Sequence, residues 1–386
     1  MKRRSFLGLG MAGVLLPRSS SALLGETAVR DIPSLAGVEQ ELREFSINRM
    51  IDRDGLFRSV ISADTLLPFS NDEVGAPEYY SVVRDMYQNS ADKAGALTYE
   101  NSLMATGEFA MSQIIRFQKT RAAGALELAR RSVHAILTVA REGRHYMPGY
   151  LPKPFGGIAG ARYSHETSTD QYTKVIAALC HWLPLASAAE EREIAIFFVD
   201  AADYFLARRF GFPWRQKIIA KPETHYHLVA LYIPLLQLAA KFGGSAYTPD
   251  MDPLEKPLEA ALRPTYRPSF NEISLFFDGF DTAMRMGRDD PRLPAIMRAL
   301  WARGAANIDQ EGRGWEDGKE TAWATRFAAG ARLVPGRDEA PQRDALAFRV
   351  MGQYRQAVQM TRPPMRRPIE GAGIASWLLS YWRLHA

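Results

Sequence analysis

Cysteine is almost absent from this chain. Cys180 is the only one among 386 residues, so no intramolecular disulfide can staple the fold and packing must hold it. It falls between Leu179 and His181 on a helical pattern, with no neighbouring base, where a buried structural thiol is expected rather than a nucleophile. Long apolar runs are missing as well. No stretch approaches the ~20 residues that cross a bilayer, so no membrane anchor is expected. Nor is there a surplus of one charge. The chain carries 48 basic and 43 acidic residues, but Lys2, Arg3, Arg4 and Arg18 fall in a first segment that holds no acid. Without that segment the balance is close to neutral, which excludes the basic footprint of a nucleic-acid binder.

That first segment reads as an address rather than as structure. Lys2-Arg3-Arg4 precedes an apolar run from Phe6 to Leu16, and Ser20-Ser21-Ala22 supplies small residues for cleavage. A basic start, a short apolar stretch and small residues form an export signal of the twin-arginine type over 1–22. The absence of cysteine at the cleavage point argues against a lipid anchor. The expected partner is the twin-arginine translocation machinery, and the expected location is the periplasm or the medium. Residues 23–36 read as a linker, and 37–386 as one domain.

Helical periodicity dominates the rest. A helix is expected from Val38 to Asn48 and another near 77–88, with a weak strand-like signal between them at Leu56–Ile61. Leu103, Ala110, Met111 and Ile114 give one apolar stripe, and Leu126, Ala129, Val133, Ile136 and Leu137 the next. Tyr172, Val175, Ile176 and Leu179 follow, then Ile194, Phe197, Phe198 and Phe205. A fifth uses Leu228, Leu231, Tyr232 and Leu235, with a kink expected at Pro234. Further helices are expected near 252–263, 270–286, 292–306, 320–332, 342–360 and 372–384. Between them, tight links near Thr120, Ala186 and 287–291 alternate with long ones at 141–167, 210–224, 307–319 and 361–371. The links 242–251 and 264–269 fit that scheme less well. In an up-and-down chain, every second link emerges on the same face, so the long loops share a rim. Helices entering from that rim begin near 101, 168, 225, 270, 320 and 372. Six helical hairpins closed into a ring make an all-α (α/α)6 toroid, preceded here by a short irregular N-terminal segment. A stacked solenoid, the rival arrangement, brings a shorter and more regular repeat.

The hairpin pattern, together with Gly149-Tyr-Leu-Pro-Lys-Pro-Phe-Gly-Gly157 and Gly314-Trp-Glu-Asp-Gly318, resembles the six-hairpin glycosidase-like superfamily over most of 77–386. That superfamily includes glycoside hydrolases, polysaccharide lyases and sugar epimerases. The resemblance implies a sugar cleft where the inner helices begin, and no single family's catalytic residues map onto this chain.

The residues themselves place polar clusters at those helix entrances: Tyr99-Glu100-Asn101, Arg162 to Asp170, Glu223-Thr-His-Tyr-His227 and Trp315-Glu-Asp317. Ser168 and Gln171 have the spacing of a capping box. Glycoside hydrolysis needs two carboxyl groups, one protonated and one ionised. Glu166 is expected as acid or base, with Glu316 or Asp317 across the ring. Asp170 is either catalytic or a helix-dipole acid, and Glu100 and Glu272 stand behind these. Eliminative cleavage of a uronic-acid polymer instead needs a carboxylate-neutralising group, a base and an acid. Arg162, Tyr163 and His165 supply all three types. Tyr99, Trp214, Glu223, His225, Tyr226, His227 and Trp315 are expected to bind substrate, the aromatics by stacking on sugar rings. His225 and His227 open a helix, where i and i+2 point apart, so no metal is expected, nor any cofactor. His134 and His181 lie inside helices and read as structural. The first reading is therefore an exported glycoside hydrolase. A polysaccharide lyase is the second, and a noncatalytic glycan-binding protein the third.

Overall fold

The computed structural model describes residues 34–74, 92–214, 217–244, 247, 251–354 and 368–385. The export signal, most of the linker, and the helix expected near 77–88 lie outside this set. Helix α1 (Leu35–Phe45) starts within the stretch expected to be linker, with Ser34 capping it through Gly37 N, and it continues as a π turn to Met50. After β1 (Val60–Ser62) come α2 (Lys93–Tyr99), α3 (Ser102–Thr120), α4 (Ala123–Arg144), the one-turn α5 (Ile158–Ala161), α6 (Thr169–Trp182) and α7 (Ala188–Leu206). A hairpin of β2 (Phe212–Trp214) and β3 (Lys217–Ala220) leads into α8 (Val229–Gly243), α9 (Asp252–Ala261), α10 (Phe270–Arg285) and α11 (Arg292–Ala305). A second hairpin, β4 (Gly314–Glu316) and β5 (Lys319–Thr321), precedes α12 (Ala324–Ala328), α13 (Ala340–Gly352), β6 (Pro368–Glu370) and α14 (Gly371–Leu384).

The helices form an (α/α)6 toroid. Helix α3 packs on α6, α6 on α8 and α10, α10 on α12, α12 on α14, and α14 returns to α3. Burial separates the two layers. In α3, α6 and α14 nearly every residue over three turns is buried, whereas α4 and α11 bury one stripe. A helix apolar almost all round is stable only when surrounded, so α3, α6, α8, α10, α12 and α14 make the inner ring. Helices α4, α7, α9, α11 and α13 link successive inner helices, and α1 packs against α14 in the sixth outer position. The inner helices begin where the alternating links placed them. Two glycines permit the tightest crossings. A Cβ on Gly107 would sit 2.8 Å from the Lys174 carbonyl oxygen, and one on Gly279 would sit 1.9 Å from that of Ala230. Helix α8 runs on through Pro234.

Strand content is small and sits in the links. β1 pairs antiparallel with β6, Val60 opposite Glu370, which ties the N-terminal segment to the start of α14. The β2–β3 and β4–β5 hairpins stiffen two of the long loops. In the latter, Asp317 and Gly318 both take positive φ (49° and 73°). That is the two-residue turn for which an Asp-Gly pair is suited.

Candidate active site on the long-loop rim

The middle of the ring is polar, and its members were absent from the sequence-based candidates. Lys174 Nζ lies 2.5 Å from Asp278 Oδ2, 3.2 Å from Glu108 Oε1 and 3.2 Å from Ser274 Oγ. Arg326 Nε donates to Glu108 Oε1 (3.0 Å), and its Nη1 to Asn271 Oδ1 (3.3 Å). Arg383 Nη2 donates to Asp278 Oδ1 at 2.6 Å. Glu108, Lys174, Asp278, Arg326 and Arg383 are all buried and come from α3, α6, α10, α12 and α14, so one ionic cluster joins five of the six inner helices. Burial works against ionisation of Asp278, yet the charges of Arg383 and Lys174 outweigh it and hold the carboxyl down at about 2. The one sequence signal was an ion on an otherwise apolar stripe, as in Phe276-Phe277-Asp278-Gly279-Phe280.

Above this floor the predicted rim residues divide into separate groups. At the α3–α6 entrance, Glu166 is 4% exposed, beneath the 147–157 loop, its backbone carbonyl accepting from Lys153 N (2.7 Å). The phenol of Tyr150 is raised by its burial, by Tyr204 and Tyr146, and by the Glu166 charge. Lys153 Nζ stands 3.9 Å from Glu100. Tyr99 donates to Asp52 Oδ2 (2.9 Å); burial, then the Asp52 charge, push its phenol up to about 12. The expected capping box does not form. Gln171 Nε2 instead donates to Ser168 Oγ (2.9 Å) and to the Glu100 carbonyl (3.1 Å), and Asp170 Oδ1 accepts from Ser168 Oγ and from Gln171 N. Asp170 is thus occupied with its own helix end.

Arg162, Tyr163 and His165 do not gather around Glu166. The segment turns sharply after α5, so Ser164 and Glu166 are buried while these three are exposed. Arg162 and Tyr163 line a groove beside the outer helix α4, with Asp54, His134, Thr138 and Glu142. His165 stands edge-on to Tyr146, ring centroids 5.2 Å apart. Of the three chemistries that adjacency in sequence brought together, Arg162 and Tyr163 share this groove and His165 is not among its lining residues.

At the α8–α10 entrance the chain does converge. Glu272, Trp315, Glu316 and Asp317 line a groove of about 700 Å³, with Arg267, Ser269, Arg303 and Asn307. His227 Nδ1 lies 3.0 Å from Glu272 Oε1, and Ser269 N donates to Glu272 Oε2 (2.8 Å) within a capping box that opens α10. Burial favours the neutral form of Glu272, but His227 and Ser269 overcome it, and the carboxyl lies below its ordinary range. Glu316 is biased the other way. Burial raises it first, and the charges of Asp317 and Glu272 add to that against a 2.5 Å hydrogen bond from Phe270 N. Two carboxyls with opposite bias thus share one groove, and the charge of Glu272 adds to the bias of Glu316. Trp315 is 37% exposed, held by Nε1–H donating to Asp309 Oδ2 (3.1 Å). Asp317 sits in the hairpin turn. The His225 and His227 rings meet edge to face at 6.1 Å, and His225 Nδ1 is 2.9 Å from Thr224 Oγ1. Tyr226 packs edge-on against Tyr266, Glu223 is exposed, and Trp214 lies opposite Lys217 in the β2–β3 hairpin.

The two histidines expected to be structural each face a carboxylate. His134 Nε2 is 2.8 Å from Glu190 on the outer surface, and buried His181 is 3.6 Å from Asp281. Cys180 is buried, which pushes its thiol up to about 11. Among the described residues, no cluster of three or more His, Cys, Asp or Glu is arranged to hold a metal, and no helix is long and apolar enough to cross a membrane.

No protein-family model and no curated protein matches the chain. Solved structures do. A UGL variant with dGlcA-Glc-Rha-Glc aligns over 91% of this chain and 96% of its own, at TM-score 0.53 and 11% identity. Cellobiose 2-epimerase from Bacillus thermoamylovorans aligns over 89% and 98%, at TM-score 0.51 and 9% identity. Both are six-hairpin glycosidase-like (α/α)6 toroids. At such identities the likeness concerns the fold.

Proposed function

We propose that the chain is a carbohydrate-active enzyme, a glycoside hydrolase working on an oligo- or polysaccharide at the rim where the inner helices begin. The observation that carries this reading is the Glu272–Glu316 pair. Hydrolysis of a glycosidic bond requires one carboxyl that keeps its proton and one that does not. Glu316 is raised and Glu272 is lowered within the same groove. Glu316 acts as the acid that protonates the leaving oxygen, and Glu272 as the ionised partner, oriented by His227. Trp315 offers a flat face to a sugar ring, and Arg267 and Arg303, held on the carbonyls of Pro264, Ala261 and Leu262, line the same groove. That toroids of this fold include UGL with dGlcA-Glc-Rha-Glc and a cellobiose 2-epimerase supports the substrate class. Glu166, packed beneath its loop, gives up the acid role to Glu316.

Glu316→Gln keeps the size and the acceptor to Phe270 N but removes the proton. Release of reducing ends from a panel of neutral and uronic-acid oligosaccharides falls by roughly 10²- to 10⁴-fold if Glu316 is the acid. Turnover within threefold of the parent sinks the assignment. We further propose export through the twin-arginine route, followed by cleavage near Ala22, which supports a periplasmic or secreted site of action. Replacing Arg3 and Arg4 with lysine then retains the unprocessed chain in the cytoplasm; unaltered fractionation refutes it.

A further inference from the structure

The groove beside α4 is left unused by the mechanism above, and its geometry is that of a binding surface. Tyr163 is 76% exposed, the most exposed of the large apolar side chains among the described residues. A single exposed ring is ordinary on a protein surface; what sets this one apart is the groove that it borders. Its position is built into the backbone. Gly157 takes φ +99°, and a Cβ on Gly160 would fall 1.4 Å from the Phe155 carbonyl oxygen, so only glycine permits the turn. The Tyr163 amide then donates to the Gly160 carbonyl (3.1 Å), which ends the turn with the ring outside the core.

The opposite wall is fixed as firmly. Arg131 of α4 donates to the carbonyls of Asp52 (2.6 Å) and Arg53 (3.0 Å), and the Asp52 carboxylate accepts from Asp54 N and Leu56 N, both at 2.9 Å. The turn carrying Asp54 is therefore clamped onto α4. Between the walls lies a groove of about 570 Å³ whose floor includes Thr138 and Glu142. An exposed ring beside two carboxylates, a hydroxyl and a guanidinium matches the two faces of a pyranose, with C–H groups stacked on the ring and hydroxyls at the rim. Asp54 and Glu142 against Arg162 leave the groove with no cationic excess, so an uncharged sugar suits it better than a uronate.

We propose that the Tyr163 groove is a second carbohydrate-binding site, separate from the catalytic rim, which holds a neutral polysaccharide while another part of it is cut. This rests on the reading of the chain as a carbohydrate-active protein. Hydrolysis need not occur for the site to exist, so the test separates the two.

Retention is measured by affinity electrophoresis in gels containing β-glucan, glucomannan, arabinoxylan or polygalacturonate, with the Glu316→Gln chain so that the polymer stays intact. At least one neutral polymer retards the chain, and adding Tyr163→Ala weakens that retardation about tenfold or more. Tyr163→Phe keeps most of it, because the stacking face survives. An unchanged melting temperature for Tyr163→Ala shows that the fold is not the cause. Retardation by none of the neutral polymers, or retardation indifferent to Tyr163→Ala, overturns the proposal, as does stronger retardation by polygalacturonate than by every neutral polymer. Tyr163-dependent retardation without reducing-end release by the parent chain upholds this site and refutes the hydrolase reading. Release without Tyr163-dependent retardation refutes this site alone.

Discussion

Asp278→Asn is the sharpest probe of what holds the ring together. The substitution removes one of two anions that serve three buried cations, Lys174, Arg326 and Arg383. Lys174 retains Glu108 at 3.2 Å. Arg383 retains the Ala329 carbonyl (3.3 Å) and the Met111 sulfur (3.6 Å), neither of which is an anion. Breaking a buried pair from one side costs about 3–5 kcal/mol, because the other charge stays buried without compensation. A second route gives a similar figure. The Asp278 carboxyl is held at about 2, against about 3.9 for an unfolded aspartate, and this difference corresponds to roughly 2–3 kcal/mol. The sign is that of a depressed acid. The stability is fully present above the unfolded value and is lost as pH falls through the folded one. Equilibrium urea unfolding at a series of pH values measures both. At pH 7 the variant is less stable by about 2–5 kcal/mol, a large share of the roughly 5–15 kcal/mol of a folded domain. The pH-dependent part of that gap, about 2–3 kcal/mol, closes as the medium is acidified from about pH 4 towards pH 2. A loss below about 1 kcal/mol at pH 7, or a gap constant through the acid range, refutes the cluster's stabilising role.

Two further outcomes follow from close approach and from charge. Gly279→Ala forces α10 off α8, since the new Cβ meets the Ala230 carbonyl oxygen; a loss of about 1–3 kcal/mol in the same urea assay is expected, and none would mean that the crossing is looser than described. Asp317→Asn removes a negative charge that raises Glu316, so the alkaline limb of the pH–rate profile moves to lower pH. The acid limb, set by the lowered Glu272, stays in place, and an alkaline limb that moves upward would exclude Glu316 as the acid.

The ring was legible because its evidence is repeated. The inner helices announce themselves by apolar patterns, most of them behind a long loop, and the expected starts near 101, 168 and 270 fall beside the observed Ser102, Thr169 and Phe270. The rim was legible only in part. Trp315, Glu316 and Asp317 line one groove with Glu272, which His227 contacts, because topology alone brings their loops together. Arg162, Tyr163, His165 and Glu166 were grouped by adjacency; after a one-turn helix and a bend, Glu166 is buried while Arg162 and Tyr163 line an outer groove and His165 stands against Tyr146. Glu272 stood only in reserve; in the fold it caps α10 with Ser269 and faces the groove as well. The central cluster was least legible. Its five ions are spread from Glu108 to Arg383, each a single polar break in an apolar helix, and only the closed ring reveals that they are neighbours.

Closure also sets an order of events. The α14–α3 seam joins segments more than 250 positions apart in the sequence, β1 waits for β6, and Trp382 Nε1 donates to Glu39 Oε1 (3.0 Å). Contacts of such long range form late. Until α14 arrives, α3 and α12 have an uncovered flank and Asp278 lacks Arg383, so the nascent toroid is an open arc with its apolar and ionic seams exposed. A chain built in this way is vulnerable for as long as it takes to synthesise its final helix, and is sealed in one step when that helix docks.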